Sequence, residues 1–403
     1  MKTNILALAL GSLLATACAP SLVQRRTAAE STLQALQEAR FEDVTVQGAQ
    51  VLEKDAENPY ARVATALARY RAATHQIATD VPTVVMGAMQ TRGINHQYLR
   101  MALEQFEKDL GLVEQDLAVA AKYPELAVDL CIACWEVDWN RDGEIDDDDR
   151  RILEIELDRD GNELPDGDPR RRPTYRYDHG DVQWARAFVS FQRAVMDVLL
   201  AYRWNELDKL LPALLMGATP TITLALEHPE RMKAARERIL EGLGLADASR
   251  KAYLAETDDE REWVPNPRQK DHPMPLAVDE ALYQTWEQVL ADAKKLLAGE
   301  EGLGVADVLA LAEPPDGEEI PTGYLDLGGM LARPRDIVLD LGQLKADAEN
   351  ERAEPMLQHL FGEFYVPTMK ASQLPSRLKR MKGEIDRGEE SIERKLRYLL
   401  WLN

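Results

Sequence analysis

The sequence predicts a mainly α-helical protein, a helical array interrupted by one inserted acidic loop module. Three observations carry that prediction. Apolar residues recur at helical spacing, as in Leu99, Leu103, Phe106, Leu110, Val113 and Leu117, which fall on one face of a helix expected over 93–122. Extended pieces are short and late, confined to 324–327 and 337–339. Aspartates crowd 138–169 at spacings that suit a cation rather than a helix face. With 403 residues and 45% hydrophobic content, the chain can bury a real core as two or three domains or one large array.

The elements follow in order. Residues 28–75 read as two or three amphipathic helices rich in Ala, Leu, Glu and Arg. After the 93–122 helix, Pro124 is expected to open another, whose apolar run 126–137 enters the acidic loops. A helix of about two turns is expected over 147–157, with Ile152, Leu153 and Ile155 as its apolar residues. Arg170, Arg171 and Arg172 with Pro173 close the module, as a solvated turn or as neutralisers of the aspartates nearby. The most buried helix is expected from Asp181 to about Leu207, with Trp184, Phe188, Phe191, Val195, Val198, Leu199 and Tyr202 inward. Asp178 and His179 beside Asp181 form the best polar cluster outside the loops and read as a helix start capped by a carboxylate. A helix over 227–243 precedes a polar, Pro-containing linker at 256–276. Helix resumes over 278–297, a mixed stretch covers 302–340, and helices near 354–361 and 375–402 end the chain. The division this implies is 1–17, 18–27, 28–137, 138–169, 170–255, 256–276 and 277–403.

The acidic module carries the chemistry. In DWNRDGEIDDDD, a calcium loop would take ligands from Asp138, Asn140, Asp142, the carbonyl of Glu144, Asp146 and Asp149. Gly143 stands at the sharp turn, and Ile145 where an apolar residue points into the core. The EF-hand has Glu at the last position; Asp149 there makes the segment resemble the dockerin-type loop, D-x-N-x-D-G-x-I-x-x-x-D. A second loop begins 20 residues later, LDRDGNELPDGDP, with Asp158, Asp160, Asn162, Asp166 and Asp168. It resembles the calcium repeats of bacterial thrombospondin type-3-like segments, except that Glu163 replaces the second glycine and Pro169 offers no side-chain oxygen. Two loops bridged by a short helix is also the dockerin layout. The resemblance implies Ca2+ ligands and carries over no dockerin partner.

The N-terminus sets the expected compartment. Lys2 precedes an apolar run from Ile5 to Ala17, too short to span a bilayer and laid out as a secretory signal. Leu14-Ala15-Thr16-Ala17-Cys18 resembles a bacterial lipobox, which implies lipidation of Cys18; an ordinary signal peptide cut near Ala17 or Ala19 is the alternative. Ala19 is not the aspartate that retains many lipoproteins at the inner membrane, which points to the outer membrane. Export suits calcium, because extracytoplasmic modules bind it weakly and use it to fix structure. Cys131 and Cys134 remain, in the order C-I-A-C: buried thiols, a local disulfide, a redox motif or half a zinc site.

The stretch EARFEDVTVQGAQVLEKDAENPYARVATALARY resembles a tetratricopeptide repeat. Phe41, the turn DAENPYA, and Ala66 with Tyr70 occupy its characteristic positions, while Ala56 replaces its proline and Gly48 an aromatic. An ordinary helical hairpin is the other reading.

A net charge of −22 argues against nucleic acid and against docking on anionic lipid through the protein surface. No catalytic pattern emerges. The histidines at 75, 96, 179, 228, 272 and 359 fit no zinc-hydrolase spacing, and no nucleophile elbow or phosphate loop is found. With 70 carboxylates, acid pairs occur at any spacing and single out no glycosidase. The expectation is a lipid-anchored, calcium-binding scaffold of the bacterial envelope with a protein partner. Its layout resembles the helical lipoproteins that accompany solute-binding proteins of tripartite transporters. An envelope hydrolase with structural calcium is the alternative.

Overall fold

The computed structural model describes residues 20–91, 95–139, 143–158, 162–210, 217–272, 278–309, 321–350 and 353–385. Cys18 and the signal segment, and the loop positions Asn140, Asp142 and Asp160, lie outside the described residues. The molecule is mainly helical, as the periodicity predicts.

Helices α1 (Leu22–Ala28), α2 (Glu30–Gln37), α3 (Phe41–Lys54), α4 (Pro59–Thr91) and α5 (His96–Ala120) build the N-terminal part. Local sequence explains their starts: Ser21 and Gln24 make a capping box on α1, and the Asn95 side chain caps α5 at Tyr98 N. The apolar face read from Leu99 to Leu117 is real: Leu103, Phe106, Leu110, Val113 and Leu117 are buried in one core with Leu36, Val44 and Ala64. Gly48 lets α3 and α4 approach closely. A Cβ there would lie 2.5 Å from Thr65 Oγ1.

The centre of the fold is α7 (His179–Ala201), gripped between α5 and α8 (Pro229–Ala255). Here α6 denotes the single turn Asp147–Arg151. Buried charges fix the packing: Asp197, 3% exposed, accepts from Arg231 at 2.9 Å and Arg238 at 2.8 Å, while Arg193 reaches Glu107 at 2.6 Å and also Glu114. Removing one partner of such a set would strand a buried charge, so the network specifies how the three helices meet. The helix ends at Ala201 rather than near Leu207, because the chain turns into strand β3 (Tyr202–Arg203). Val195 and Leu199, expected inward, lie on its solvent side at 54% and 39% exposure.

Two small antiparallel sheets follow. One has β4 (Thr221–Leu226) between β3 and β7 (Ile337–Asp340), with Thr221 opposite Asp340 and Leu224 opposite Ile337. The other has β6 (Tyr324–Leu325) between β5 (Leu303–Gly304) and β8 (Tyr365–Val366). The extended pieces expected near 324 and 337 are thus strands, but in different sheets. Helix α9 (Glu280–Ala298) is capped by Asp279. The short helices α10 (Val305–Leu309), α11 (Leu327–Ala332), α12 (Leu341–Glu349) and α13 (Ala353–Phe361) precede α14 (Leu374–Ile385), which packs on α9.

Four expectations around the acidic module need correction. No helix enters it: 126–137 contains strand β1 (Val128–Leu130) and a one-turn 3-10 helix (Ile132–Cys134). β1 pairs with β2 (Tyr175–Tyr177) in antiparallel register, Val128 opposite Tyr177, which an apolar run can satisfy as well as a helix can. The helix expected over 147–157 stops at Arg151, because the chain then extends to pair Leu157 with Glu163. Ile145 does not point into the core and is 40% exposed. The described part of the expected linker, 256–272, is no loose connector: Glu262, Trp263, Asn266 and Gln269 are all buried, and Trp263 packs with Ile155, Leu157, Leu164 and Tyr175 as the module's own small core. Cys131 and Cys134 are joined in a disulfide across the one-turn helix.

Two acidic regions as candidate functional sites

The first loop is shaped by its own carboxylates. Gly143 takes a φ of +95°, a left-handed turn that a side chain would strain. Asp138 Oδ2 accepts the Gly143 N–H at 2.9 Å, so the first position of the loop is tied to the turn. Asp149, at the last position, is 1% exposed and reaches back into the loop. Its Oδ1 accepts the Trp139 N–H at 2.7 Å and its Oδ2 the Asp146 N–H at 3.3 Å. Asp146 in turn accepts from Asp148 N at 2.9 Å and Asp149 N at 3.1 Å, capping α6. Asp138, Asp146 and Asp149 are thereby fixed by backbone donors, and each carboxylate keeps further lone pairs for a cation. Among the described residues, the acidic groups that converge closely enough to hold a metal are Asp178, Glu256 and Glu262; the described carboxylates of this loop form no such group. Glu144 is exposed, and its expected contribution is a backbone carbonyl.

The second loop is neutralised differently. Asp158 Oδ1 accepts the Asn162 N–H at 2.8 Å, closing a turn next to the Leu157–Glu163 bridge. Asp166 pairs with Arg171 and, at 3.4 Å, with Arg151. Asp168 pairs with Arg170 at 2.8 Å and also accepts the Arg170 N–H at 2.9 Å. The hydrogen bond from Arg171 holds Asp166 below the usual carboxylate range, and that from Arg170 does the same for Asp168. The arginine run therefore neutralises the aspartates and is no idle turn. Arg171, 5% exposed, also lies 3.0 Å from the buried Glu154, which Arg172 reaches at 2.8 Å. A cleft of about 380 Å³ opens here, with Arg150, Arg151, Arg171 and Arg172 set against Glu154 and Asp166. Two of the second loop's expected calcium ligands are thus already matched by resident cations, and the loop fits calcium less well than the first.

The other region is a half-buried carboxylate cluster at the junction of three segments. Asp178 is the N-cap of α7 and accepts the Gly180 N–H at 2.7 Å; Asp181, three residues on, accepts the Asp178 N–H at 2.8 Å. This is the capped helix start read from the sequence. Glu256 is the C-cap of α8, and Glu262, 4% exposed, comes from the 256–272 strap. Oxygens of Asp178, Glu256 and Glu262 all lie within 4.8 Å of one another. Tyr253, 2% exposed, donates its hydroxyl to Asp181 at 2.8 Å. Tyr283 and Trp286 cluster with Tyr253 on the apolar side.

Among the described residues no basic side chain forms an ion pair with this cluster, although Arg176 is near enough to lower Glu262. Arg176 is engaged with Glu260 at 3.0 Å, and Arg250 with Asp247 at 2.8 Å and Glu287 at 3.3 Å. The acids respond accordingly. Burial, with Asp178 beside it, pushes the Glu256 carboxyl up to about 10. Burial pushes Glu262 up to about 7 and raises Asp181 well above the carboxylate range. His179 is lowered, first by burial.

Sequence reading found Asp178 and Asp181 but not Glu256 or Glu262, which lie in a run that looks like a polar linker. The available signal was Trp263, a large aromatic in the middle of that run.

Comparison with protein-family models, with curated proteins and with solved structures finds no match for this chain. No helix among the described residues is long and apolar enough to cross a membrane.

Proposed function

We propose that this protein is a lipid-tethered helical scaffold of the bacterial cell envelope, in which calcium held by the 138–149 loop stiffens the inserted module against the helical core. The observation that carries the reading is the closed first loop. Its first and last aspartates are both tied to loop backbone around a left-handed Gly143. The ligands would be Asp138, Asn140, Asp142, the Glu144 carbonyl, Asp146 and Asp149. Bound calcium supplies positive charge to a loop that has six aspartates between 138 and 149. Because it binds the folded loop better than the unfolded one, its binding free energy adds to stability by mass action. The tether would be lipid on Cys18 after removal of 1–17. The N-terminal hairpins, tetratricopeptide-like in sequence, would offer the surface for a protein partner.

Calorimetric titration of calcium into the chelator-stripped protein, with thermal melts alongside, tests this. One ion should bind and the melting temperature should rise, and Asp142→Ala should abolish both effects. No heat and no shift in millimolar calcium would sink the reading.

A further inference from the structure

The cluster at Asp178, Asp181, Glu256 and Glu262 sits where a neutral core would be expected, and nothing in the calcium reading uses it. It joins three pieces of chain remote in sequence: the start of α7, the end of α8 and the strap that carries Trp263 into the module. Strap and cluster are one unit. Asn266, 1% exposed, donates to the Tyr253 carbonyl at 2.8 Å, and Gln269 Nε2 reaches Glu256 Oε2 at 3.3 Å. Arg176 N bonds to the Arg261 carbonyl at 3.1 Å, so β2 of the module leans on the same strap.

We propose that the carboxyl groups of Asp178, Glu256 and Glu262 share protons and form a latch that fastens the strap, and through Trp263 the acidic module, to the helical core, loosening as the pH rises. The geometry argues for protons as the neutralisers. Oxygens of Asp178, Glu256 and Glu262 all lie within 4.8 Å of one another, and carboxyl groups this close repel unless some of them carry protons. Asp181 stands apart from this sharing: its two oxygens accept the Asp178 N–H and the Tyr253 hydroxyl, contacts that favour its charged form against the effect of burial.

The surroundings leave little else to set the charge. Burial raises Glu262 and the strap's Asp258 adds to that, while the Glu260 N–H, donated to Glu262 at 3.2 Å, and Arg176 of β2, itself paired with Glu260, act the other way. From α7 comes His179, which burial keeps towards neutral. From α8 and α9 come Tyr253, Tyr283 and Arg250; burial raises both phenols, so they stay protonated, and Arg250 is turned to Asp247 and Glu287. The direction follows by linkage. A carboxyl raised in the folded state holds its proton there after the unfolded chain has lost it. Its stabilising effect is complete at low pH and is lost as pH rises from the ordinary carboxyl range to the folded value, about 7 for Glu262 and about 10 for Glu256.

Denaturation of the full chain in chelator, from pH 5 to 9, tests the proposal against Glu262→Gln and Glu256→Gln. Each substitution should remove up to about tenfold per pH unit from the fall in the folding equilibrium, over pH 5–7 for Glu262 and across the whole of pH 5–9 for Glu256. Hydrogen exchange of the parent over 258–272, corrected for the intrinsic rate, should show protection at pH 6 that is lost at pH 8.5. That second readout decides the matter even where a variant fails to fold. Parallel pH slopes for parent and variants would overturn the latch, as would unchanged strap protection. It would also be overturned if millimolar calcium or magnesium restored protection at pH 8.5 in the parent but not in Glu262→Gln, since a cation would then be the neutraliser.

Discussion

The acidic module and the carboxylate cluster concentrate the same chemical group and manage it in opposite ways. In the second loop of the module, the exposed Asp166 and the half-buried Asp168 carry their charge and sit against arginines a few residues away. In the cluster, Glu262 is buried and Glu256 half-buried, with no basic side chain in an ion pair with them among the described residues. Solvent and local arginine keep the first set ionised below the usual range. Burial and mutual repulsion drive the second set towards the neutral form. The pH responses are therefore opposite in sign. The depressed aspartates contribute stability that is lost as pH falls through their folded values, and the raised glutamates contribute stability that is lost as pH climbs through theirs.

Substitutions sharpen that contrast. The largest effect is expected where the two regions touch. Trp263→Ala empties the centre of the module's small core and should cost about 3–5 kcal/mol by chemical denaturation. A loss well below that range would mean that the strap does not hold the module. Next comes the bridge at the module's edge. Cys131 and Cys134 close a very short ring, so Cys131→Ser with Cys134→Ser should cost about 2 kcal/mol by loop-closure entropy, read as a lower denaturation midpoint. The smallest effect is expected at Arg170. Arg170→Ala breaks an exposed pair with Asp168 and should leave the melting temperature unchanged at physiological salt. A large drop there would show that the second loop depends on its arginines far more than an exposed pair allows.

How much could be read in advance follows the same divide. The turn of the first loop was legible because Asp138, Gly143 and Asp149 lie within one dodecapeptide, with the glycine in the left-handed region and both aspartates bonded back to loop backbone. The long helices were legible because Leu103, Leu110 and Leu117 repeat one face. β4 was not anticipated, although its Thr-Ile-Thr run is β-branched, because its partners Tyr202–Arg203 and Ile337–Asp340 come from far along the chain. The apolar run before the first loop was misread for a related reason. A strand and a buried helix share that composition, and only the distant Tyr175–Tyr177 decides between them. The cluster was half legible: Asp178 and Asp181 announce themselves as a helix cap. Glu256 and Glu262 gain their meaning only when α8 brings the strap back across the start of α7.

The pairing of Val128 with Tyr177 means that the chain enters and leaves the acidic module at one point. Everything between those residues is a cassette with adjacent ends. It could lengthen, shorten or be exchanged for a different insert without altering the spacing of the helices on either side. What it could not do unnoticed is vanish, since Trp263 would then face water. The fold thus separates a position free to vary in length from a docking surface that requires some occupant there.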